Sequence, residues 1–353
     1  MWVKKMMATT VVATLLVGCS DEQEPTTVTT EPVEETEEQD TTNVEAVKQE
    51  VNYVYPLTGL PAKEEIAQRS IAVTINNHPK ARPQTGLHKA DIVYEVLAEG
   101  DVTRFLAIYQ SEMPEKFGPV RSSRDYFIEL AKGYDSIYIA HGYSPEARQM
   151  LESGYIDNMN GIQYDGTLFK RDSSRVAPHN SYITYESIVK GATKLQFDLN
   201  RSPEALPYLT EEEVETLTGQ PAPSVMVSYY KNPTFTSVYE YDQEMGKYTR
   251  ISGGVLTADR ETNEPVLIDN IFIIETDHKV VDNAGRRDIN LFSGGNALLI
   301  REGVLEKVQW MNDEGRIVPV RNGQKVAFAP GKTWIHIVPS LIDFVSYETI
   351  ETN

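Results

Sequence analysis

Two regimes of apolar patterning divide the chain. From about residue 53 to residue 222, short period-two runs alternate with stretches of helical spacing and capping signals. Ile71, Val73 and Ile75 recur at every second position and predict a strand over 70–76. Residues 92–97 and 104–110 read as two more strands, with Ala98-Glu99-Gly100-Asp101 between them as a hairpin signal. Ser122 and Asp125 form an S-x-x-D variant of the capping box; Phe127, Leu130 and Ala131 share one face of the helix it opens, and Gly133 stops it. A strand over 136–140 leads into Ser144-Pro145-Glu146, where Ser is the N-cap, Pro the first helical position and Glu the first-turn acid. Thr184 caps a helix over 185–194, and Thr210 with Glu213 opens a short acidic helix ending at Gly219. After Pro221-Ala222-Pro223 the texture becomes Val-, Ile- and Tyr-rich, with strands predicted over 225–230, 237–241, 247–251, 266–275, 296–301, 305–311, 325–329 and 333–338. The pattern predicts an α/β (α+β) N-terminal domain over 53–222, followed by a mainly antiparallel β domain over 223–353.

The first 52 residues obey neither regime. Lys4 and Lys5 precede an apolar stretch over 6–17, which is too short to span a bilayer comfortably, and Leu16-Val17-Gly18-Cys19 matches a bacterial lipobox. Residues 1–18 therefore read as a lipoprotein signal peptide. Cys19 is the expected lipidation site and the start of the mature chain, which acyl chains would hold at the outer face of the bacterial cytoplasmic membrane. Residues 19–52 are Glu- and Thr-rich with almost no large apolar side chain, the composition of an acidic disordered tether.

Charge sharpens this division. The formal charge of −19 separates into −8 over residues 1–50 and −11 over the remaining body. An acidic surface argues against general nucleic-acid binding. A single cysteine excludes an internal disulfide and a Cys-cluster metal site, and a hydrophobic content of 40% is too low for a multi-span membrane protein.

Against that background the loop arginines stand out. Arg121 and Arg124, in Gly118-Pro119-Val120-Arg121-Ser122-Ser123-Arg124-Asp125, sit at a predicted helix start, where cations are disfavoured unless an anion shares the space. The alternative is pairing with nearby acids. Arg171, Arg175 and His179 lie in a Pro-broken segment expected to be irregular; Arg82 and His78 follow the first strand, Arg104 opens the second hairpin strand and His141 ends a strand. If these loops converge, they form one electropositive pocket for an anionic ligand. His78, His141 and His179 are candidates for a metal ligand or general base, although each taken alone reads first as a hydrogen-bonded structural residue. Asp91, with Asp125 or Asp172, offers oxygens to Mg²⁺ beside a phosphate, or is a solvated or salt-bridged side chain. No G-x-S-x-G elbow and no H-E-x-x-H spacing occurs, so no catalytic residue is assigned.

Several strings resemble the YerB-type bacterial lipoproteins: Arg82-Pro83-Gln84-Thr85-Gly86-Leu87, Ala90-Asp91-Ile92-Val93-Tyr94-Glu95, Thr103-Arg104-Phe105-Leu106, Gly118-Pro119-Val120-Arg121-Ser122-Ser123-Arg124, Ala177-Pro178-His179-Asn180 and Gly331-Lys332-Thr333-Trp334. That resemblance spans about residues 55–338 and implies two domains and an extracytoplasmic location, without naming a reaction. A fainter similarity, through Asp91 and Arg124-Asp125, is to the LytR-CpsA-Psr envelope transferases. It implies Asp91 as a metal ligand and Arg82, Arg121 and Arg124 as pyrophosphate contacts.

Three functions follow as expectations. The first is a membrane-anchored protein binding a phosphate- or carboxylate-bearing envelope ligand through Arg82, Arg104, Arg121, Arg124, His141, Arg171, Arg175 and His179. The second is a metal-assisted phosphoryl-type transferase acting on cell-envelope polymer precursors, with Mg²⁺ at Asp91. The third is a protein-interaction scaffold whose arginines are structural.

Overall fold

A computed structural model describes residues 53–348. The expected signal peptide, Cys19 and the acidic tether lie outside the described residues. The main strands are β1 (Ile71–Asn76), β2 (Ile92–Glu99), β3 (Val102–Tyr109), β4 (Ile137–Ala140), β5 (Asn158–Asn160), β6 (Phe169–Arg171) and β7 (Ser181–Thr184), interleaved with helices α1 (Asp125–Gly133), α2 (Pro145–Glu152) and α3 (Tyr185–Leu195). Then follow β8 (Ser224–Ser228), β9 (Thr236–Asp242), β10 (Lys247–Ser252), β11 (Asn270–Glu275), β12 (Gly295–Arg301), β13 (Val304–Asp313), β14 (Arg316–Arg321), β15 (Thr333–Val338) and β16 (Val345–Tyr347). The first part thus mixes strands and helices, and the second is mostly antiparallel sheet.

One large sheet runs through both parts, in the order β14-β13-β12-β11-β15-β2-β3-β1-β4-β5 with two-residue strands added at its margin. β15 supplies the join, pairing in parallel with β11 on one side and β2 on the other. All six residues of β1 and all six of β15 are buried, as expected of strands covered on both faces. Successive side chains point to opposite faces. Val73 and Ile75 therefore join Val225, Tyr239, Ile188 and Ala192 in one core, beneath α3 and beneath a six-stranded sheet made of β8, β9, β10, β16 and the two-residue strands Val255–Leu256 and Leu267–Ile268. Ala72 joins Phe127, Leu130, Ala131 and Leu151 of α1 and α2 in the other. The result is a helix layer, a central sheet and a second sheet.

β8, β9 and β10 show the predicted alternation of buried and more exposed residues. Thr184, Ser144 and Thr210 cap their helices as predicted, and Glu213 closes the Thr210 capping box. The helix expected from Ser122 begins later: Arg124 is the N-cap of α1 and makes no side-chain cap. Ser122 donates to the His141 carbonyl and Ser123 to the Arg124 carbonyl. The single strand expected over 266–275 is divided at Asp269. Leu267–Ile268 pairs with β10, and β11 enters the large sheet. Over 325–329 only Gln324–Lys325 pairs as a strand. β14, for which no strand was expected, contains Pro319 and pairs with β13 across five residues beside the sheet margin. The segment expected to be irregular after residue 168 holds β6, which pairs with β7 before the loop over 172–180.

Candidate functional site

Parallel strands β1, β4 and β5 end together, and the Gly118–Arg121 segment is stitched between the first two. Asn76 N–H donates to the Pro119 carbonyl at 2.9 Å, Arg121 N–H to the Thr74 carbonyl at 2.8 Å, and His141 N–H to the Arg121 carbonyl at 2.9 Å. This holds Arg121 at the carboxyl ends of the strands, where open α/β sheets bind ligands. Its guanidinium is half-buried. Among the described residues it has no carboxylate within 4.0 Å and no side-chain hydrogen bond. Burial, with the nearby positive charge of Arg104, lowers its pKa to about 10.

Two histidines complete this corner. His78 and His179 stack with ring centroids 4.5 Å apart and planes 24° apart. Asn76 holds both: its Oδ1 accepts from the His78 backbone N–H at 3.0 Å, and its Nδ2 lies 3.0 Å from His179 Nδ1. The amide NH₂ can only donate, so Nδ1 of His179 accepts and the ring proton sits on Nε2. His78 Nδ1 accepts from Lys80 N–H at 3.2 Å, which gives it the same tautomer. Both rings thus carry Nε2–H donors, and neither Nε2 has a protein partner among the described residues. Burial lowers the pKa of each. Lys80, Arg121 and Arg82 add to the effect on His78, and His78, Arg121, Lys80 and Arg175 on His179. Every resolved charge effect on the pair comes from a basic neighbour.

The other expected site residues divide by their partners. Arg104 and Arg124 converge on one acid, Glu99 in the bulged end of β2. Glu99 thus answers two guanidiniums, and Arg121 has no such partner among the described residues. Arg171 is spent on Asp165, with a shortest contact of 2.8 Å, and on Asn180. It also donates to His141 Nε2 at 2.9 Å, so His141 carries its proton on Nδ1 and donates it to Ser181 Oγ at 2.7 Å. Burial and then Arg171 lower the His141 pKa. Both ring nitrogens of His141 are thus engaged by protein groups. Gly161 makes room for it: a Cβ there would lie 2.0 Å from His141 Nδ1. Arg175 binds the carbonyls of Ala81 and Pro83, both at 2.7 Å, and fixes the loop after β1. Arg82, expected in the same pocket, turns into a separate cleft.

Asp91, expected as a Mg²⁺ ligand, has other work. It is fully buried and accepts from Gln110 N–H at 2.5 Å, from Ser111 N–H at 2.9 Å and from the Ser111 hydroxyl, which closes the turn after β3. Burial raises its pKa to about 6 against these donors. Among the described residues no three His, Cys, Asp or Glu side chains gather to hold a metal. Sequence reasoning missed Asn76, whose role is visible only through its two partners. It also missed Arg260, which crosses from the β-rich part to Asp172 at 2.6 Å and Ser174 at 2.8 Å and ties down the loop carrying His179.

Comparison with known proteins places this architecture. Residues 57–198 match the model described as "Protein of unknown function (DUF3048) N-terminal domain" and residues 225–335 the corresponding C-terminal domain. The chain belongs to this family. The Bacillus subtilis (strain 168) protein named "Putative lipoprotein YerB" is 49% identical over 288 residues, covering 81% of this chain and 86% of that protein. The crystal structure of the YerB protein from Bacillus subtilis superposes with a TM-score of 0.77 at 48% identity, covering 84% of this chain and 99% of that one. Within the DUF3048 frame, the two matched segments are joined by the β15–β2 pairing, so the corner around Arg121 sits on a sheet to which both contribute. Among the described residues no helix is long and apolar enough to cross a membrane.

Proposed function

We propose that this DUF3048 protein is a lipid-anchored envelope lipoprotein that captures a phosphate- or carboxylate-bearing ligand at the corner formed by Arg121, His78 and His179. The observation that carries this reading is the half-buried Arg121 guanidinium with no acidic partner, in a chain of 52 acids and 33 bases. A desolvated cation beside two neutral N–H donors supplies charge and hydrogen bonds to an oxyanion. Neither histidine presents a carboxylate that would compete. The name of the Bacillus relative and the Leu16-Val17-Gly18-Cys19 string support anchoring through Cys19, with the acidic tether keeping the binding body clear of an anionic bilayer. Occupation of the Asp91 oxygens by three donors favours binding over metal-assisted transfer.

Calorimetric titration with pyrophosphate tests this. Binding should weaken at least about tenfold in Arg121→Ala, the loss of one charge-assisted contact pair. It should also weaken as salt is raised. Unchanged affinity in Arg121→Ala contradicts the assignment, and binding that requires added Mg²⁺ supports the transferase reading.

A further inference from the structure

A cleft lies away from Arg121, between the loop after β1 and the segment following β10. It has a volume of about 590 Å³. Arg82 and Gln84 contribute from one wall, Arg250, Ser252 and Leu256 from the other. Three of these residues carry buried polar atoms with no hydrogen-bond partner: Nη2 of Arg82, Nε of Arg250 and Oγ of Ser252. Arg250 is 1% and Ser252 5% exposed. An unpaired buried polar atom is costly, and a ligand group that pairs with it recovers that cost. All three lie on the lining of this one cleft.

The charges point the same way. Arg250 is neutralised by Glu95 at 3.0 Å. Arg82 donates to the Asn77 side chain and to the carbonyls of Asn77 and Thr234, all neutral, and its Cζ lies 5.5 Å from the Phe235 ring centroid. Asp259, the acid on this lining, is already occupied by N–H groups of Gly86, Glu261 and Thr262. Among the described residues Arg82 thus has no carboxylate within 4.0 Å, and burial followed by Arg250 lowers its pKa to about 10. The wall also carries the polar side chains of Gln84, Thr234, Thr257 and Asn263, beside an apolar portion. Pro79, Pro83 and Pro233 line it, and at its mouth Val255 and Leu256 are 69% and 48% exposed.

We propose that this cleft binds a small organic anion, a carboxylate on an apolar body. The carboxylate is held by Arg82 with Arg250 and Ser252, and the body packs on the prolines, Val255 and Leu256. A planar carboxylate accepts from two guanidiniums and a hydroxyl together, and a cleft of this size takes a small organic molecule. The site is separate from the Arg121 corner and takes a different ligand, since inorganic phosphate has no apolar body to bury.

The test is calorimetry on the purified protein with 4-phenylbutyrate, octanoate and N-acetyl-leucine, each against its uncharged counterpart (4-phenylbutanol, octanol and N-acetyl-leucinamide). At least one acid should saturate one site per chain and bind at least about tenfold more tightly than its neutral partner. Leu256→Trp, which fills the mouth from an exposed position and keeps both arginines, should weaken the acid at least about tenfold without lowering the melting temperature. Arg82→Met should remove the preference for the charged form, and Arg121→Ala should leave it intact. Failure of all three acids to bind overturns the proposal, as does equal binding of acid and neutral partner or indifference to Leu256→Trp. None of these outcomes bears on pyrophosphate at Arg121.

Discussion

Replacing Glu95 with alanine is expected to destabilise the fold by about 3–5 kcal/mol, read as a drop in denaturant midpoint at unchanged slope. Glu95 lies in β2 between the two sheets and is 0% exposed. Its Oε1 accepts from Thr103 at 2.9 Å and Asn77 at 3.3 Å; its Oε2 accepts from Arg250 at 3.0 Å and Trp334 Nε1 at 3.2 Å. Burial alone would raise its pKa, but Arg250, His336 and these donors hold it below the ordinary carboxylate value. Removing it strands the Arg250 guanidinium, whose Cζ lies 4.6 Å from the Trp334 ring centroid and 5.3 Å from that of Phe105. Arg250→Met should be damaging for the mirrored reason. The joint replacement Glu95→Leu with Arg250→Met should recover part of the loss, because no charge is left unpaired. A double variant as unstable as the sum of the singles would contradict this account.

Acid should unfold the protein in part through His336. This residue of β15 is fully buried, with Nδ1 3.0 Å from the Tyr229 hydroxyl and Nε2 2.6 Å from that of Tyr239. Tyr229 already donates its proton to the Glu95 carbonyl at 3.1 Å, so His336 donates from Nδ1 and accepts at Nε2. Burial pushes its pKa down to about 4, with Arg250 lowering and Glu95 raising it. Between about pH 6.5 and that value, the unfolded chain binds a proton that the folded one refuses, so stability rises with pH across this window and is lost as pH falls. The contribution is about 3 kcal/mol between pH 7 and pH 4. In His336→Gln, which keeps a donor and an acceptor but cannot be charged, the stability difference between those two pH values should shrink by about that amount. A wild-type-like pH dependence would mean that His336 does not titrate as described.

The legible parts of the sequence were those with local causes. Ser144, Thr184 and Thr210 announce their helices because a cap acts within three residues, and β8 to β10 announce themselves because only one face of each is buried. What was hidden depends on distant partners. The join between the two parts is made by β15, whose apolar run carries no mark of pairing in parallel with strands on either side. Arg250 and Glu95, 155 positions apart, form the central ion pair, while alternation in β10 gave Arg250 no distinction. The loop arginines were visible as a class, yet sequence could not tell which had acids to answer them. Glu99 claims Arg104 and Arg124 because the β2–β3 hairpin folds it back, and Asp165 claims Arg171 across six residues. Arg121 is set apart from these by the absence of such a partner, which only the fold reveals. The stacking of His78 on His179 across 101 positions was equally out of reach.

The central claim is that an oxyanion enters this donor corner, and histidine titration by NMR reads it directly. Bound anion stabilises the protonated form of a nearby imidazole. Saturating pyrophosphate should therefore raise the pKa of both His78 and His179, which start below 6.5, with uptake of protons on binding near neutral pH. His141, whose ring nitrogens are already taken by Arg171 and Ser181, should shift less. Titration curves for His78 and His179 that stay where they are with pyrophosphate in excess would contradict the account.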